Sequence, residues 1–518
     1  MPTLHPITAG ELASPAATDL HRSRAELRFA PDLALSVACI AVAYLLLFAG
    51  GASVLFRDAD AGWHIRAGQR ILAMHSLPVI DTFSFSKPGA PWIAWEWVAD
   101  IASGFAHQVA GLAGVALLYV LAIGAAVWMW FRLNWAAGGN FLLACLFAAP
   151  LLSTLSLHWL ARPHVFGWLF TLGTVWFCEA MGRRLSACAA VALLCALWAN
   201  IHGSFVLAPA IFIIYAAGAA LRPLIWGGEP KASWRGYLLF AVAALGGSLI
   251  NPHGWNLHRH IFAYLSDSAL LDRIGEFQSF NFHSAGSAWI IFALMIGLAG
   301  GFAALSARRP ERFLLAIVIG AGALHTARML PVAALILLPL ANGSISDVLT
   351  HGKFAPHFRR WLDGVLNYGS SLRALDQTLS GIALTPLIAL LLFGVIRATH
   401  PAFPSDQFPV AASASVAALP ADARLFSSDK FGGYLIYRFD GQRKVFFDGR
   451  SDFYGAPFLI SYSNLVQARP GWQTEFARYG FTHALLPPNY ALVAALESAG
   501  WKETYRDRSA ILLKGPQS

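Results

Sequence analysis

The chain is short of charge. Only 13% of its 518 residues are Asp, Glu, Lys or Arg, where soluble domains carry about 25%. A soluble enzyme, a disordered chain and a coiled coil are excluded on that ground. Cysteine is scarce too: Cys39, Cys145, Cys178, Cys188 and Cys195 all sit in apolar runs. They build no disulfide framework and no CxxC or Cys/His zinc pattern. The sequence has no Walker loop, no GxGxxG, no internal repeat and no low-complexity segment. A cleavable signal peptide is not expected, because the first apolar run starts near residue 34 and Arg57-Asp58 follows it.

What remains is apolar. Hydrophobic residues make up 57% of the chain, with 18 Trp and 36 Phe, and the mean hydropathy is +0.55. A polytopic α-helical membrane protein of about eleven transmembrane helices is expected. The candidate spans are 34–56, 104–131, 141–157, 165–181, 188–201, 206–226, 237–250, 287–305, 314–327, 329–343 and 378–397. The long run 188–226 breaks at Asn200-Ile201-His202-Gly203-Ser204, which reads as a tight hairpin. A second hairpin is expected within 314–343, because the basic stretch 353–373 belongs on the inner side.

Lys and Arg set the orientation. Loops holding Arg132, Arg183, Arg184, Arg308, Arg309 and Arg359 outweigh those holding Arg57, Arg66, Arg162 and Arg328. The first set is read as cytoplasmic. This gives a cytoplasmic tail over 1–33, a transmembrane domain over 34–397 with a long first outer loop 57–103, and an extracytoplasmic domain over 398–518. The net charge of +9 follows from orientation, so no nucleic-acid partner is inferred. In the last segment, Ala423–Ser427, Val445–Asp448 and His483–Leu486 read as strands. Stretches 457–467, 472–479 and 489–499 read as helices, and Glu503–Arg506 with Ala510–Lys514 as a hairpin. The expectation is a small α/β domain.

Polar chemistry gathers in the outer loops. Asp58, Asp60 and His64 follow the first span, and Glu96 ends the first outer loop. Arg162 and His164, then His202, then His253 and Glu276, then Arg328 come from the later outer loops. Ionisable residues at membrane depth mark functional sites, and a polar cavity at the outer leaflet is the economical reading. Asp58 and Asp60 point to one side of an extended stretch. Such a pair binds a divalent cation such as Mg²⁺ or Mn²⁺, supplies a base with an orienting neighbour, or caps a helix. His64 lies one turn beyond Asp60. Arg162, His164, His202, His253 and Arg328 form a cationic wall suited to a phosphate leaving group. In the C-terminal segment, Asp448 and Arg450 in Phe447-Asp448-Gly449-Arg450 form either a binding pair at a strand end or a turn held by an ion pair.

These residues resemble the GT-C superfamily of integral-membrane glycosyltransferases, in a bacterial branch of large multispanning proteins. The resemblance rests on Asp58-Ala-Asp60-Ala-Gly-Trp63-His64, Asp81-Thr-Phe-Ser-Phe, Trp95-Glu96-Trp97, Arg162-Pro163-His164, Trp198-Ala-Asn200-Ile-His202-Gly203, Asn251-Pro252-His253-Gly254, Ile274-Gly-Glu276-Phe, Gly432-Gly433-Tyr434 and Phe447-Asp448-Gly449-Arg450. It covers nearly the whole chain. It implies a polyprenyl-phosphate-linked sugar as donor, an Asp of the first outer loop as base, and inversion at the anomeric carbon. By position the base is Asp58 or Asp60, with Asp58 preferred and Asp60 as metal or substrate partner. Arg328, His202 and Arg162 would hold the phosphate. The acceptor is a lipid, glycan or wall polymer, and the location is the bacterial cytoplasmic membrane with the N-terminus inside. The acceptor-recognition motif of oligosaccharyltransferases and the repeat module of protein O-mannosyltransferases are not recognised. Two other classes stay open at this point: a lipid or glycan transporter, for which mid-membrane charges and repeats are the expected signature, and a non-catalytic envelope-assembly scaffold.

Overall fold

The computed structural model describes residues 27–180, 187–227 and 233–516. Most of the expected 1–33 tail lies outside the described residues, as do Arg183, Arg184 and Lys231. Every apolar run coincides with a helix: Leu33–Leu47, Trp97–Ala136, Phe141–Ser156, His164–Ala180, Ala187–Ala199, Leu207–Trp226, Trp234–Ser248, Ser287–Ser306, Pro310–His325, Leu330–His351 and Thr385–Ala398. Among the described residues, four helical stretches are long and apolar enough to cross a membrane: Trp97–Ala136, Gly203–Trp226, Ser287–Ser306 and Ala327–His351. The others are shorter, so length alone fixes no span count. The first of the four is broken at Ala110 and Gly111, where the backbone leaves helical geometry.

Local chemistry sets the helix ends. Asp32 accepts the Leu35 N–H at 2.8 Å, and Asn140 that of Leu142 at 2.9 Å. Pro310 and Pro331 open their helices, where a missing N–H costs nothing. The helical runs break at both expected places, with short 3-10 turns at Gly203–Val206 and Ala327–Met329. At the end of the bundle away from these turns, Arg309 and Arg312 share Glu179 at 2.8 and 2.7 Å.

The C-terminal segment carries a four-stranded sheet of order β1-β2-β4-β3: β1 Leu425–Ser427, β2 His483–Leu486, β3 Lys502–Arg506 and β4 Ile511–Lys514. β1 and β2 are parallel, and the other pairs antiparallel. The central strands alternate in which core they feed. Leu425, Leu485 and Leu512 join the core that continues into the helix bundle. Phe426, Ala484, Leu486, Ile511 and Leu513 point to a second core with Phe446, Tyr462 and Phe476. Period-two alternation with both faces buried is what seats this segment on the bundle.

One expected strand is absent. Val445–Asp448 forms no strand but a single parallel bridge, Val445 to Ser84 of the first loop. The Val445 N–H donates to the Phe83 carbonyl at 2.9 Å, and the Val445 carbonyl accepts from the Phe85 N–H at 3.0 Å. Its backbone is used up by a distant loop rather than by the sheet. A helix over Asp429–Arg438 stands in the segment beside it. That helix meets the helix Asp60–Met74 so closely that a Cβ on Gly62 would enter the Gly433 carbonyl, and one on Gly433 the Ala59 carbonyl.

Candidate active site

After the turn Ala52–Phe56 the chain bends at Arg57–Ala59 and starts a helix at Asp60. Asp58 Oδ1 accepts the Asp60 N–H at 2.9 Å, which fixes the two carboxylates as neighbours. Arg57 turns the other way. Its Nη2 donates to the Ser156 and Leu157 carbonyls at 2.9 and 2.6 Å. These are end carbonyls of the helix Phe141–Ser156, so Arg57 holds the start of the loop that carries Arg162.

Arg162 is the hub. Its Nη1 donates to Asp58 Oδ2 at 2.8 Å and to Glu276 Oε1 at 2.6 Å. Its Nη2 lies 2.9 Å from Asp60 Oδ2. Arg328, from the turn Ala327–Met329, takes the other Glu276 oxygen at 3.3 Å. Arg328 Nη2 lies 3.3 Å from His202 Nε2. Beyond it come Glu96, with Oε1 3.7 Å from His202 Nε2, and His64, with Nε2 3.8 Å from Glu96 Oε2. His64 Nδ1 ends the chain, 2.6 Å from Asp100 Oδ1. Four separate connections and two helix starts thus meet in one polar line.

Two cavities flank that line. The inner one, about 320 Å³, reaches into the helix bundle and is lined by Trp63, Trp92, Trp95, Trp168, Glu96 and His202, among others. The outer one, about 840 Å³, lies against the C-terminal segment and is lined by Asp58, Asp272, Arg273, Asp429, Lys430 and Tyr490, among others. Both sizes fall in the usual range of ligand pockets, ~300–1,000 Å³. Asp60, Arg162, Tyr264, Arg328, Gly449 and Ser451 belong to both walls.

The electrostatics are uneven. Burial pushes Asp60 up to about 7; Arg162 opposes the rise, and Asp58 and Glu276 add to it. Burial pushes Glu96 up to about 8 against the pull of Arg162 and Arg328. Burial alone would raise Glu276 as well, but Arg162 and Arg328 hold it far below the usual carboxylate range. Burial opposes charge on Arg162, yet the surrounding carboxylates keep it firmly protonated. His64 and His202 are kept neutral by burial, then by nearby Arg162 and Arg328 respectively. One guanidinium shared by three carboxylates cannot fully compensate all of them, and the most buried of the three, Asp60, carries the deficit.

The residues singled out in the sequence divide as follows. Asp60, His64, Glu96, Arg162, His164, His202, Arg328 and Arg450 line the inner cavity, and Asp58 and Glu276 the outer one. His164 turns its Nε2 to the His158 carbonyl at 3.0 Å. His253 lines neither cavity; it sits in a turn where its N–H donates to Asn251 Oδ1 at 2.8 Å. Asp448 is fully buried and lines neither cavity, gripped by Arg450 at 2.8 and 2.7 Å and by the Tyr454 hydroxyl at 3.0 Å. Arg450 also reaches Asp81 at 2.8 Å and lies over the Trp92 ring at 4.7 Å. This pair ties the C-terminal segment to the first loop. The Asp58–Asp60 pair does not fit a divalent cation as arranged, because a guanidinium already occupies the space between the carboxylates. No group of three or more His, Cys, Asp or Glu residues suited to a metal is found among the described residues.

Some contacts of the C-terminal polar motif gave no sequence signal. Gly449 presses on the Asp60 carboxylate, and a Cβ there would collide with it. Asp452 pairs with His260 at 3.0 Å, and Ser451 Oγ lies 3.0 Å from the Tyr264 hydroxyl. These contacts join parts of the chain nearly two hundred residues apart, beyond any local pattern.

No family model and no curated protein matches the sequence. Solved structures do. The apo oligosaccharyltransferase of Archaeoglobus fulgidus aligns with a TM-score of 0.50 at 13% identity, over 87% of this chain and 69% of that one. ArnT from Cupriavidus metallidurans, bound to undecaprenyl phosphate, aligns with a TM-score of 0.45 at 15% identity, over 96% and 98% of the two chains. At such identity the likeness concerns architecture. This protein shares its fold with that archaeal oligosaccharyltransferase.

Proposed function

We propose that the protein transfers a sugar from a polyprenyl-phosphate-linked donor to a hydroxyl-bearing acceptor at the extracytoplasmic face of the cytoplasmic membrane. The acceptor is a lipid, glycan or wall polymer. The observation that carries this reading is the position of Asp60, Arg162 and Arg328. They form the partition between an aromatic cavity inside the bundle and a polar cavity outside it. A lipid-linked donor needs the first, a hydrophilic acceptor the second, and the reaction needs a base and cations where they meet.

In this scheme the acceptor hydroxyl oxygen attacks the anomeric carbon from the outer cavity. Its proton passes to Asp60. The bond between the anomeric carbon and the phosphate oxygen breaks, and the electron pair stays on the phosphate. Arg328 and Arg162 neutralise the charge that grows there. Attack opposite the leaving group inverts the anomeric centre. Asp60 suits the base better than Asp58, the choice from chain position. Asp58 spends one oxygen on the Asp60 N–H and the other on Arg162. Asp60 faces both cavities and titrates near working pH, where a general base is most effective. Asp58 then holds Arg162 in place. A transport role has less support, because the charges cluster at helix starts and loops rather than at mid-span.

The test is transfer of radiolabelled sugar from synthetic polyprenyl-phosphate sugars by the purified protein in proteoliposomes, with cell-envelope lipids and glycans as acceptors. Transfer that Asp60→Asn abolishes supports the reading. Equal rates for the wild type and that variant would overturn it.

A further inference from the structure

The helix Pro356–Asp376 joins two apolar helices, Leu330–His351 and Thr385–Ala398. Its own chemistry differs from theirs. The stretch 353–376 carries Lys353, Arg359, Arg360 and Arg373 against Asp363 and Asp376. One face of the helix is tied to the bundle. Arg373 donates to the Gly139 and Trp135 carbonyls, both at 2.9 Å. Asp376 accepts the Trp135 indole N–H at 3.0 Å and the Leu33 N–H at 2.5 Å. Leu362 and Gly369 are buried on the same side, and a Cβ on Gly369 would enter the Asn140 side chain. The adjoining Ala137 carbonyl takes Arg312, of the Glu179 cluster, at 3.0 Å. This helix therefore lies at the end of the bundle away from the candidate site.

The flank beside that face is apolar and uncovered. Phe358, Trp361, Val365, Tyr368, Leu372 and Leu375 recur at alternate steps of three and four residues, so they line one side of the helix. Phe358, Trp361, Tyr368 and Leu375 are 45%, 60%, 61% and 59% exposed. A contiguous stripe of this kind marks an interaction surface. Two observations say what covers it. The next helix, Thr385–Ala398, exposes Leu387, Leu390 and Leu391, so the chain passes from the stripe into a surface suited to hydrocarbon. The free charge beside the stripe is all of one sign. Asp363 pairs with Arg359 and Asp376 is buried, whereas Lys353 and Arg360 are exposed and make no ion pair among the described residues. Trp and Tyr belong at the boundary of acyl chains and headgroups, and a helix with aromatics on one side and basic residues beside them lies in that plane.

We propose that Pro356–Asp376 docks on anionic phospholipid in the leaflet on the side away from the candidate site. The aromatic stripe enters the upper acyl region, and Lys353 and Arg360 hold the headgroups. A second copy of the chain would cover the stripe but would bring no free acid from this helix to the two cations, since both of its acids are engaged. The proposal is independent of the transferase reading.

The experiment uses the full chain with its five cysteines replaced by alanine, in nanodiscs of equal parts phosphatidylcholine and phosphatidylglycerol. Trp361→Cys, Tyr368→Cys and Asn367→Cys each carry one bimane label, and their unfolding temperatures are compared with the parent's. Quenching is measured with bromine on the acyl chains of one lipid at a time, and with aqueous iodide. At 361 and 368 the brominated chains should quench strongly and iodide weakly, with the reverse at 367. Brominated phosphatidylglycerol should quench at 361 about twice as strongly as brominated phosphatidylcholine, and Lys353→Gln with Arg360→Gln should erase that difference. Iodide quenching at 361 and 368 as strong as at 367 overturns the proposal. So does protection from both quenchers, and oxidative cross-linking through residue 361 would then identify a second copy as the cover. Equal quenching by the two lipids overturns it too, because the headgroup charge would not matter. Should a cysteine variant not fold, amide exchange over 356–376 in the native chain decides. Slower exchange with phosphatidylglycerol than in pure phosphatidylcholine supports the proposal, and equal rates overturn it.

Discussion

Gly449 and Asp60 touch across nearly the length of the chain: the glycine's Cα faces the carboxylate, and any side chain at 449 would occupy the place of Asp60 Oδ1. The C-terminal segment therefore sets where the proposed base stands. Gly449→Ala is expected to push the Asp60 carboxyl off Arg162 and lower kcat at least tenfold, with little loss of Tm. The check is transfer kinetics beside thermal unfolding of the same preparation. An unchanged kcat would mean that the carboxylate position does not matter.

The two neighbouring aspartates should separate in kinetics. Asp60→Asn removes the base and is expected to cost about 10²–10⁴ in kcat, the usual worth of general base catalysis. Asp58→Asn leaves the base and frees one Arg162 contact, so a smaller loss, on the order of tenfold, is expected. Steady-state rates of both variants decide it. A larger defect in Asp58→Asn would restore the assignment made from chain position.

Activity should rise with pH through about 7, because Asp60 must be ionised to accept a proton. Stability should move the other way. Asp60 and Glu96 keep their protons in the folded protein up to about 7 and about 8, whereas unfolded carboxyls lose them near 4. Between those limits the folded state binds more protons, so stability falls as pH rises and levels off above 8. Unfolding temperature measured from pH 5 to 8 should show this slope, and Glu96→Gln should flatten it. Glu276 acts oppositely: held low by Arg162 and Arg328, it contributes stability above pH 4–5 that is lost on acidification.

The contact of the helices Asp60–Met74 and Asp429–Arg438 leaves no room for a side chain at Gly62 or Gly433. Gly433→Val is expected to destabilise by about 1–3 kcal/mol or more through overpacking. It should also loosen the C-terminal segment. Limited proteolysis between residues 398 and 424 should then become faster than in the wild type, with the helix bundle still intact.

Arg57 makes two hydrogen bonds to helix-end carbonyls. Arg57→Ala is expected to cost about 1–3 kcal/mol, the range for charge-assisted or buried hydrogen bonds. Activity should fall with it, since the loop bearing Arg162 loses its anchor. Arg57→Lys should keep part of the stability that Arg57→Ala loses, which unfolding and transfer measurements together can show.

The helices were legible because polar and charged breaks set the apolar runs apart, and several helix ends carry local signals such as Asp32, Asn140 and Pro310. Most of the site was legible for a related reason: Asp60, Arg162, Glu276 and Arg328 interrupt an otherwise apolar sequence, so charge stands out. Asp448 and His253 carried the same kind of signal without entering a cavity. Val445–Asp448 has strand composition, yet its partner turned out to be Ser84, more than three hundred residues earlier, and no local pattern encodes that.

The sequence by itself determined that this is a helical membrane protein with polar residues gathered at particular loops, because hydropathy and helix capping act over a few residues. Tertiary structure alone decided which loops meet. It put one guanidinium among three carboxylates, chose Asp60 over Asp58 for the junction of two cavities, and set Gly449 against it. Those outcomes depend on packing between segments far apart in the chain, where burial and shared charge, rather than residue type, fix what each group can do.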